Sequence, residues 1–178
     1  YFGALSFKNE SEFYEGAENN EYMRNENKSV YELDPAVTQK GDYGVELATL
    51  SGMGGLSFKT VNSKIKFNAL HIQNGESTAG DFIQDRMDTD FNTYKKSVLQ
   101  YTERSITNIL LSGTHSLAEG NWKIDWKLSP TRSSIQDKDD RTTAFKITDE
   151  ARYVINLNNR PKTISSHLEE FNYLAKID

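Results

Sequence analysis

The sequence predicts an all-β protein, an antiparallel meander of long strands. The first observation is residues 121–130, N-W-K-I-D-W-K-L-S-P, in which apolar and polar residues alternate. A period of two residues separates two faces only in an extended strand. The second observation is composition: 36% of the residues are hydrophobic, yet nine Tyr, nine Phe and two Trp are present. Many aromatic residues in a chain of low mean hydropathy (-0.70) suit alternating strands joined by polar segments.

The alternating strand has one apolar face and one charged face. The apolar face carries Trp122, Ile124, Trp126 and Leu128, and the other carries Lys123, Asp125 and Lys127. Two environments explain this pattern: a soluble sheet with one face in water, or a barrel wall with lipid outside and water inside. Trp122 would belong to an interfacial aromatic girdle in the second case and to a soluble core in the first.

Six segments of the chain have a strand-like pattern. In chain order they are residues 1–7 (or 1–13), 44–58, 63–73, 98–117, 121–130 and 171–177. The second is rich in glycine, which marks bends or close approach in a sheet. The second and third are joined by a tight connection at 59–63, so we expect a hairpin there. In the third, Ile65 and Phe67 lie opposite Lys64 and Lys66.

The connections between these segments alternate in length, which is the third observation. Short turns are expected at 59–63 and 118–121, and long polar loops at 15–42, 74–97 and 133–167. Outer-membrane barrels sort their connections in this way, with short periplasmic turns and long outer loops, whereas a soluble sandwich has no reason to. Strands of about 10 residues tilted near 45° would rise roughly 23 Å, close to an apolar band of about 25 Å. The pattern therefore predicts part of a transmembrane β-barrel.

Composition also excludes several classes of protein. The net charge of -5 argues against a nucleic-acid partner, which requires clustered cations. The absence of cysteine excludes disulfides, thiolate metal sites and cysteine nucleophiles. Closed bacterial membrane barrels have at least about 8 strands, so six strands must be completed by others. Because the chain also opens at Tyr1 without an initiator methionine, we expect a processed chain or a piece of a longer one.

Four stretches follow one another in the order of barrel hairpins. They are G-L-S-F-K-T-V-N-S-K-I-K-F-N-A-L-H-I-Q-N-G-E-S-T-A-G (55–80), Y-T-E-R-S-I-T-N-I-L-L-S-G-T-H (101–115), G-N-W-K-I-D-W-K-L-S-P-T-R-S-S-I-Q-D-K-D-D-R (120–141) and H-L-E-E-F-N-Y-L-A-K-I-D (167–178). In this order they resemble the barrel domain of TonB-dependent outer-membrane receptors of Gram-negative bacteria.

The resemblance implies a function and a set of partners. It implies a 22-stranded barrel that encloses an N-terminal plug and imports a scarce nutrient with energy relayed by TonB. Residues 1–178 would be a segment of the barrel domain, with the plug outside this chain. The implied partners are the rest of the barrel and the plug, the TonB complex, outer-membrane lipid and, as a further candidate, a surface lipoprotein. The implied location is the cell outer membrane.

The strand parities also assign residues to the two faces of the barrel wall. The residues expected to face lipid are Ile65, Phe67, Trp122, Ile124, Trp126 and Leu128, and those expected to face the lumen are Lys66, Arg104, Lys123, Asp125 and Lys127. A solvated outer face is the alternative for the second set. Glu103, next to Arg104 in the same strand, points to the opposite face.

Acidic residues in the segment 74–97 are the candidates for ligand binding. They are Glu76, Asp81, Asp85, Asp88 and Asp90. They would favour a cationic or metal-bearing ligand only if they converge. Two groups could gather calcium, Asp85/Asp88/Asp90 with Asn92 and Asp137/Asp139/Asp140, but neither has the glycine or the closing glutamate of a calcium loop, and a solvated acidic loop is the alternative. We therefore expect neither a bound metal nor a cofactor.

No catalytic motif is present in the sequence. His71, His115 and His167 lie far apart without an evident Asp or Ser partner, and no nucleophile elbow, zinc motif, P-loop or dinucleotide fingerprint occurs. We therefore expect a protein that is not an enzyme. The alternative from another class is a soluble, secreted or periplasmic β-sandwich that binds carbohydrate, and it predicts a protein that does not pellet with membranes.

Overall fold

The computed structural model describes residues 1–24, 32–88, 91–117, 122–155 and 160–178. Eight strands lie in this part of the chain: β1 Phe2–Glu18, β2 Glu21–Arg24, β3 Leu33–Lys59, β4 Ser63–Arg86, β5 Asn92–Leu117, β6 Trp122–Ile147, β7 Tyr153–Ile155 and β8 Lys162–Ile177. The prediction of an all-β protein is confirmed. No helix of the described residues is long and apolar enough to cross a membrane.

The eight strands form one antiparallel sheet. Strands β3, β4, β5 and β6 pair in chain order, which confirms the antiparallel meander. Along the outer side of β3, β1 and then β2 pair with successive parts of that strand, and β8 and β7 do the same along β6. The sheet is therefore six strands wide. It is not closed, because β1 and β8 form opposite edges.

The four central strands are much longer than the predicted 10 residues. Strand β3 has 27 residues, β4 has 24, and β5 and β6 have 26 each. Strands β4 and β5 pair from Ser63–His115 to Arg86–Asn92 without a shift in register. We call the end of the sheet with the turn at 60–62 the proximal end, and the end with the 87–91 connection the distal end.

The prediction of long polar loops is wrong for most of the residues concerned. Residues 74–86 belong to β4 and residues 92–97 to β5; β6 continues to Ile147, and β3 already begins at Leu33. The physical reason is that hydrophobic alternation reports a difference between the two faces of a strand. Where both faces are polar, the backbone still pairs but the alternation disappears.

The predicted hairpin at 59–63 is confirmed. The backbone N–H of Thr60 donates to the carbonyl of Ser63 at 2.7 Å, and the N–H of Ser63 donates to Thr60 Oγ1 at 3.0 Å. The hydroxyl of Thr60 thus helps to close the turn between β3 and β4. The other predicted short turn, 118–121, lies outside the described residues.

The sheet is a single layer with almost no core. Among the described residues, the buried hydrophobic side chains are Val37, Tyr94 and Ala144, all towards the distal end. A β-sandwich packs two sheets face to face about 10 Å apart. The described residues form one sheet only, so they do not have the architecture of the soluble alternative.

Candidate functional site

The register of the sheet divides its side chains between two faces, because directly paired residues of neighbouring strands point to the same side. Trp126 pairs with Gly113, which pairs with Ile65. Along these rows, all the residues predicted to face lipid share one face: Ile65, Phe67, Trp122, Ile124, Trp126 and Leu128. We call it the tryptophan face.

The opposite face holds every residue that was predicted to face the lumen. Lys66 pairs with Ser112, which pairs with Lys127. Alternation along β5 and β6 puts the remaining members on the same side: Arg104, Lys123 and Asp125. We call it the lysine face. The register thus separates the two predicted sets of residues completely.

The tryptophan face carries an apolar band at the proximal end. The band consists of the tryptophan-face residues of 1–7, 50–58, 63–69, 109–117, 122–130 and 171–177. Within these ranges that face holds no Asp, Glu, Lys or Arg. On β6 the band covers 122–130, which is roughly 27 Å of strand. The first charged residue on the distal side of the band in β6 is Arg132.

The proximal hairpin ends are staggered across the sheet. The β3–β4 hairpin closes at the pair Lys59–Lys64, and Lys64 is level with Thr114 of β5. The next hairpin continues to the pair Leu117–Trp122, three residues beyond that level. The second hairpin therefore ends roughly 10 Å further along the strands than the first. It also lies two strand spacings, again roughly 10 Å, to one side of it. A line through the two hairpin ends is thus inclined at roughly 45° to the hydrogen-bonding direction.

One polar cluster lies inside the apolar band. The indole N–H of Trp126 donates to His115 Nε2 at 3.0 Å, and His115 Nδ1 lies 2.9 Å from Ser63 Oγ. Because Nε2 accepts from the indole, the ring proton lies on Nδ1, which donates to Ser63 Oγ. The ring therefore has no free lone pair with which to activate the serine. The expectation that His115 lacks a serine partner is wrong, yet the pair is not a nucleophile and base.

Beyond the band, towards the distal end, both faces are polar and neighbouring strands are joined through side chains. Arg104 Nη1 binds Glu76 Oε2 at 2.9 Å. Asp137 accepts hydrogen bonds from Ser166 at 2.6 Å and from Thr102 at 2.8 Å, and these two bonds lower its pKa. Such bridges join β4 to β5, β5 to β6 and β6 to β8.

The most enclosed of these bridges is centred on Glu103. Its carboxylate accepts a hydrogen bond from Gln73 and forms an ion pair with Lys138. The hydrogen bond from Lys138 is the main cause of a lowered pKa for Glu103, and the same contact raises the pKa of Lys138. The ammonium of Lys138 also lies over the ring of Tyr101, 5.6 Å from its centroid.

Of the acidic residues predicted to bind ligand, the four that the structure describes do not converge. Glu76, Asp81 and Asp85 lie in strand β4 rather than in a loop, and Glu76 is on the lysine face whereas the other two are on the tryptophan face. Asp81 accepts a hydrogen bond from Ser97, Asp85 accepts one from Thr93, and Asp88 forms an ion pair with Arg86 at 3.0 Å. Asp90 lies outside the described residues. These carboxylates form no common ligand site.

The second acidic group is also divided between the faces. Asp137 and Asp140 lie on the lysine face, whereas Asp139 pairs with Tyr101 on the tryptophan face and binds Arg141 at 2.6 Å. Within the described part of the chain, no three His, Cys, Asp or Glu side chains are placed to hold a metal ion.

Sequence reasoning missed three lysines that belong with the predicted lumen set. Lys59 and Lys64 are directly paired, and Lys176 of β8 pairs with Lys127. The parity of Lys64 was visible in the alternation of 63–69. The other two become part of the cluster only through pairing between strands, which no local pattern shows.

No protein-family model matches the chain, and neither a curated protein nor a solved structure matches it. Its function must therefore be inferred from the two faces of the sheet and from the chemistry that each face carries.

Proposed function

We propose that this chain is a segment of the transmembrane wall of a nutrient-uptake receptor in the outer membrane of a Gram-negative bacterium, energised through TonB. One observation carries the proposal: the same six strand segments present a face without charges on one side and several lysines on the other. A barrel wall between lipid and a water-filled interior needs that combination, because a charge in lipid is costly and one in the lumen is not.

The dimensions of the band support a membrane wall. A strand tilted by about 35–45° converts roughly 27 Å of length into roughly 19–22 Å of height, a little less than the apolar band of about 25 Å. The inclination of the hairpin ends agrees with the tilt of about 35–45° at which strands close into barrels. Aromatic side chains mark both limits of the band, with Trp122 and Phe58 at the proximal limit and Phe171 and Tyr173 near the other.

Further strands would pair with the two open edges. An unpaired edge in lipid leaves backbone groups without partners, at several kcal/mol each. Both β1 and β8 therefore require neighbours, and a receptor barrel of about 22 strands would supply them. In this proposal the interior also holds a plug, the TonB complex acts from the periplasmic side, and a surface lipoprotein is a candidate outer partner.

The distal hairpins would extend the wall beyond the membrane. Strand β4 continues for 17 residues after Ala69, from Leu70 to Arg86, and so reaches roughly 56 Å past the band along the strand. Rigid, polar hairpins of this length would form the outer vestibule in which ligand is captured. The paired strands, rather than flexible loops, would thus present the binding surface. No catalytic step is proposed.

Fluorescence quenching tests which face meets lipid. In the full-length protein, with Trp126 as the only tryptophan, lipids brominated on their acyl chains should quench its emission. A matched variant with a single tryptophan at Lys127 should be quenched far less, since that position is on the lysine face. Absence of quenching at Trp126 would overturn the membrane assignment. A protein that fractionates without membranes would favour the soluble alternative.

Cysteine labelling tests the orientation, since the chain has no cysteine of its own. Ala79→Cys is exposed in the distal part of β4, and Val61→Cys is exposed in the proximal turn. A membrane-impermeant maleimide added to whole cells should label the first and spare the second. Labelling of both, or of Val61→Cys alone, would contradict the proposed topology. Loss of uptake after shortening of the 87–91 connection, with normal amounts of protein in the membrane, would support capture by the distal hairpins.

A further inference from the structure

The lysine face carries a cluster of like charges at its proximal end. Six lysines form it, and we call them the lysine patch: Lys59, Lys64, Lys66, Lys123, Lys127 and Lys176. The acidic side chains among them are Asp125 and Asp178. Six positive and two negative charges leave a net +4 on this surface, although the whole chain has a net charge of -5.

The two acidic residues are already engaged by two of the lysines. Asp125 binds Lys123 at 2.8 Å and also accepts from Thr114 at 2.5 Å, and Asp178 binds Lys176 at 2.6 Å. The remaining four lysines form no ion pair with any of the described residues: Lys59, Lys64, Lys66 and Lys127.

The arrangement of these four lysines is unfavourable in the sheet by itself. Lys59 and Lys64 are directly paired across β3 and β4, and Lys66 is the next residue on the same face. Like charges directly opposite each other destabilise a strand pair. Some charged side chains elsewhere in the sheet are paired with opposite charges, as in Arg104–Glu76 and Arg132–Glu169. Neither Lys59 nor Lys64 has a carboxylate directly opposite it, since Lys59 pairs with Lys64 and Lys64 pairs on its other side with Thr114.

The patch has the shape of a shallow trough. Between the lysines of β4 and those of β6, strand β5 contributes only short hydroxyl side chains at this level, those of Ser112, Thr114 and Ser116. Lys64 and Lys66 stand on one side of the trough and Lys127 on the other, and all three are exposed. Lysines on both sides of the trough could therefore bind a carboxylate that lies above Ser112.

The width of the patch limits which ligands can cover it. From β3 to β8 it covers four strand spacings, roughly 19 Å, which is too wide for one small anion held by donors at about 3 Å. In the proposed barrel this face points to the interior, so lipid headgroups and nucleic acid do not reach it. We propose that the lysine patch docks an acidic polypeptide surface, with several Asp or Glu side chains spread over the trough. Only the exclusion of lipid and nucleic acid rests on the proposed function.

Carbodiimide cross-linking in membranes that contain the full-length protein tests the docking. The reagent activates a carboxyl group, and a lysine amine in contact with it forms an amide bond with release of the urea. We expect Lys64, Lys66 or Lys127 to be joined to Asp or Glu residues outside residues 1–178 or in another polypeptide. Lys96 and Lys162, on the same face at the distal end, should not be joined to that surface.

Matched variants separate docking from general charge. The double variant K66Q/K127Q should lose the cross-link at Lys64, whereas K96Q/K162Q, with the same change in charge, should retain it. Cross-links confined to carboxylates within residues 1–178, Glu119 included, would overturn the proposal. The proposal would also be overturned if the lysines of the patch form no cross-link and react with an acetylating reagent as fast as Lys162. Protection of these lysines from the reagent by inorganic phosphate alone would overturn it as well. Quenching of Trp126 by brominated lipids without cross-links would support the transmembrane wall and contradict the docking. Cross-links without quenching would support the docking and contradict the transmembrane wall.

Discussion

The proximal and distal halves of the sheet use the same strands in different ways. In the proximal half the two faces differ sharply, with the apolar band on one side and the lysine patch on the other. In the distal half both faces are polar, and the strands are joined by bridges such as Arg104–Glu76 and Glu103–Lys138. Strands with two different faces suit a boundary between two environments, whereas strands with two similar faces suit a single one.

The stability of the two halves should therefore have different origins. The proximal half has its large apolar side chains exposed in the isolated chain, for example Phe58 at 68% and Trp122 at 70%. In the proposed barrel, lipid on the tryptophan face would supply its stabilisation. In the distal half, polar side chains are paired between strands, so water on both faces is compatible with its stability. The predictions below separate these two sources, starting with the largest expected effect.

The isolated chain of residues 1–178 should not fold as a stable monomer in water. With three buried apolar side chains among the described residues, an uncovered apolar band and two open edges, it should associate through those surfaces. Sedimentation velocity in detergent-free buffer should show large aggregates. A monomer with a sharp, cooperative thermal transition would show that the proximal half needs no lipid, and the comparison between the halves would fail.

Alternation allowed the proximal half to be predicted from the sequence, and its absence concealed the distal half. Apolar and polar residues alternate from Trp122 to Leu128, so both the strand and the division of its residues between two faces were predictable. Residues 74–86 give no such signal, since Glu76 and Asp81 lie on opposite faces and both are polar. Their strand structure follows from backbone pairing with β3 and β5, which depends on residues far away in the sequence.

A charge on the tryptophan face should cost far more than a charge change on the lysine face. Trp126→Arg places a cation within the apolar band, where the expected loss is about 2–4 kcal/mol of unfolding free energy near the bilayer midplane. Lys127→Glu, one residue along, should cost much less because its side chain is on the lysine face, which the proposal places in water. Reversible urea unfolding of the full-length protein in phospholipid vesicles measures both. Equal losses for the two variants would mean that the faces have been assigned wrongly.

The ring of Trp126 should depend on the glycine beneath it. A Cβ atom on Gly113 would overlap the indole ring, which is held by its hydrogen bond to His115. Gly113→Ala should therefore displace the ring and cost about 1–3 kcal/mol, as overpacking does in cores. Gly75→Ala is the distal control, because its Cβ would meet only the hydroxyl end of Tyr101 at 3.2 Å. That change should cost less than about 0.5 kcal/mol. The same unfolding titrations measure the difference, and similar costs would contradict this contact.

The smallest effect is expected from acid in the distal half. The folded-state pKa of Glu103 lies below its ordinary value of 4.5, mainly because of the hydrogen bond from Lys138. The unfolded chain therefore binds the proton first as the pH falls, so the contribution of this pair is complete above about 4.5 and disappears as the pH falls through the lower folded value.

Hydrogen exchange in lipid-embedded full-length protein measures this loss site by site. Amides around Glu103 and Lys138 should exchange faster below a pH of about 4.5, relative to the intrinsic rate, because protonation removes the ion pair. The proximal amides of 50–58 should not change, since neither this segment nor its paired residues 2–7 and 65–73 contain a carboxylate. Glu103→Gln is the control, because it keeps the shape of the side chain and cannot titrate. If that variant shows the same acid-induced opening, other carboxylates cause it; if the wild-type protein shows none, the Glu103–Lys138 bridge does not stabilise the distal half.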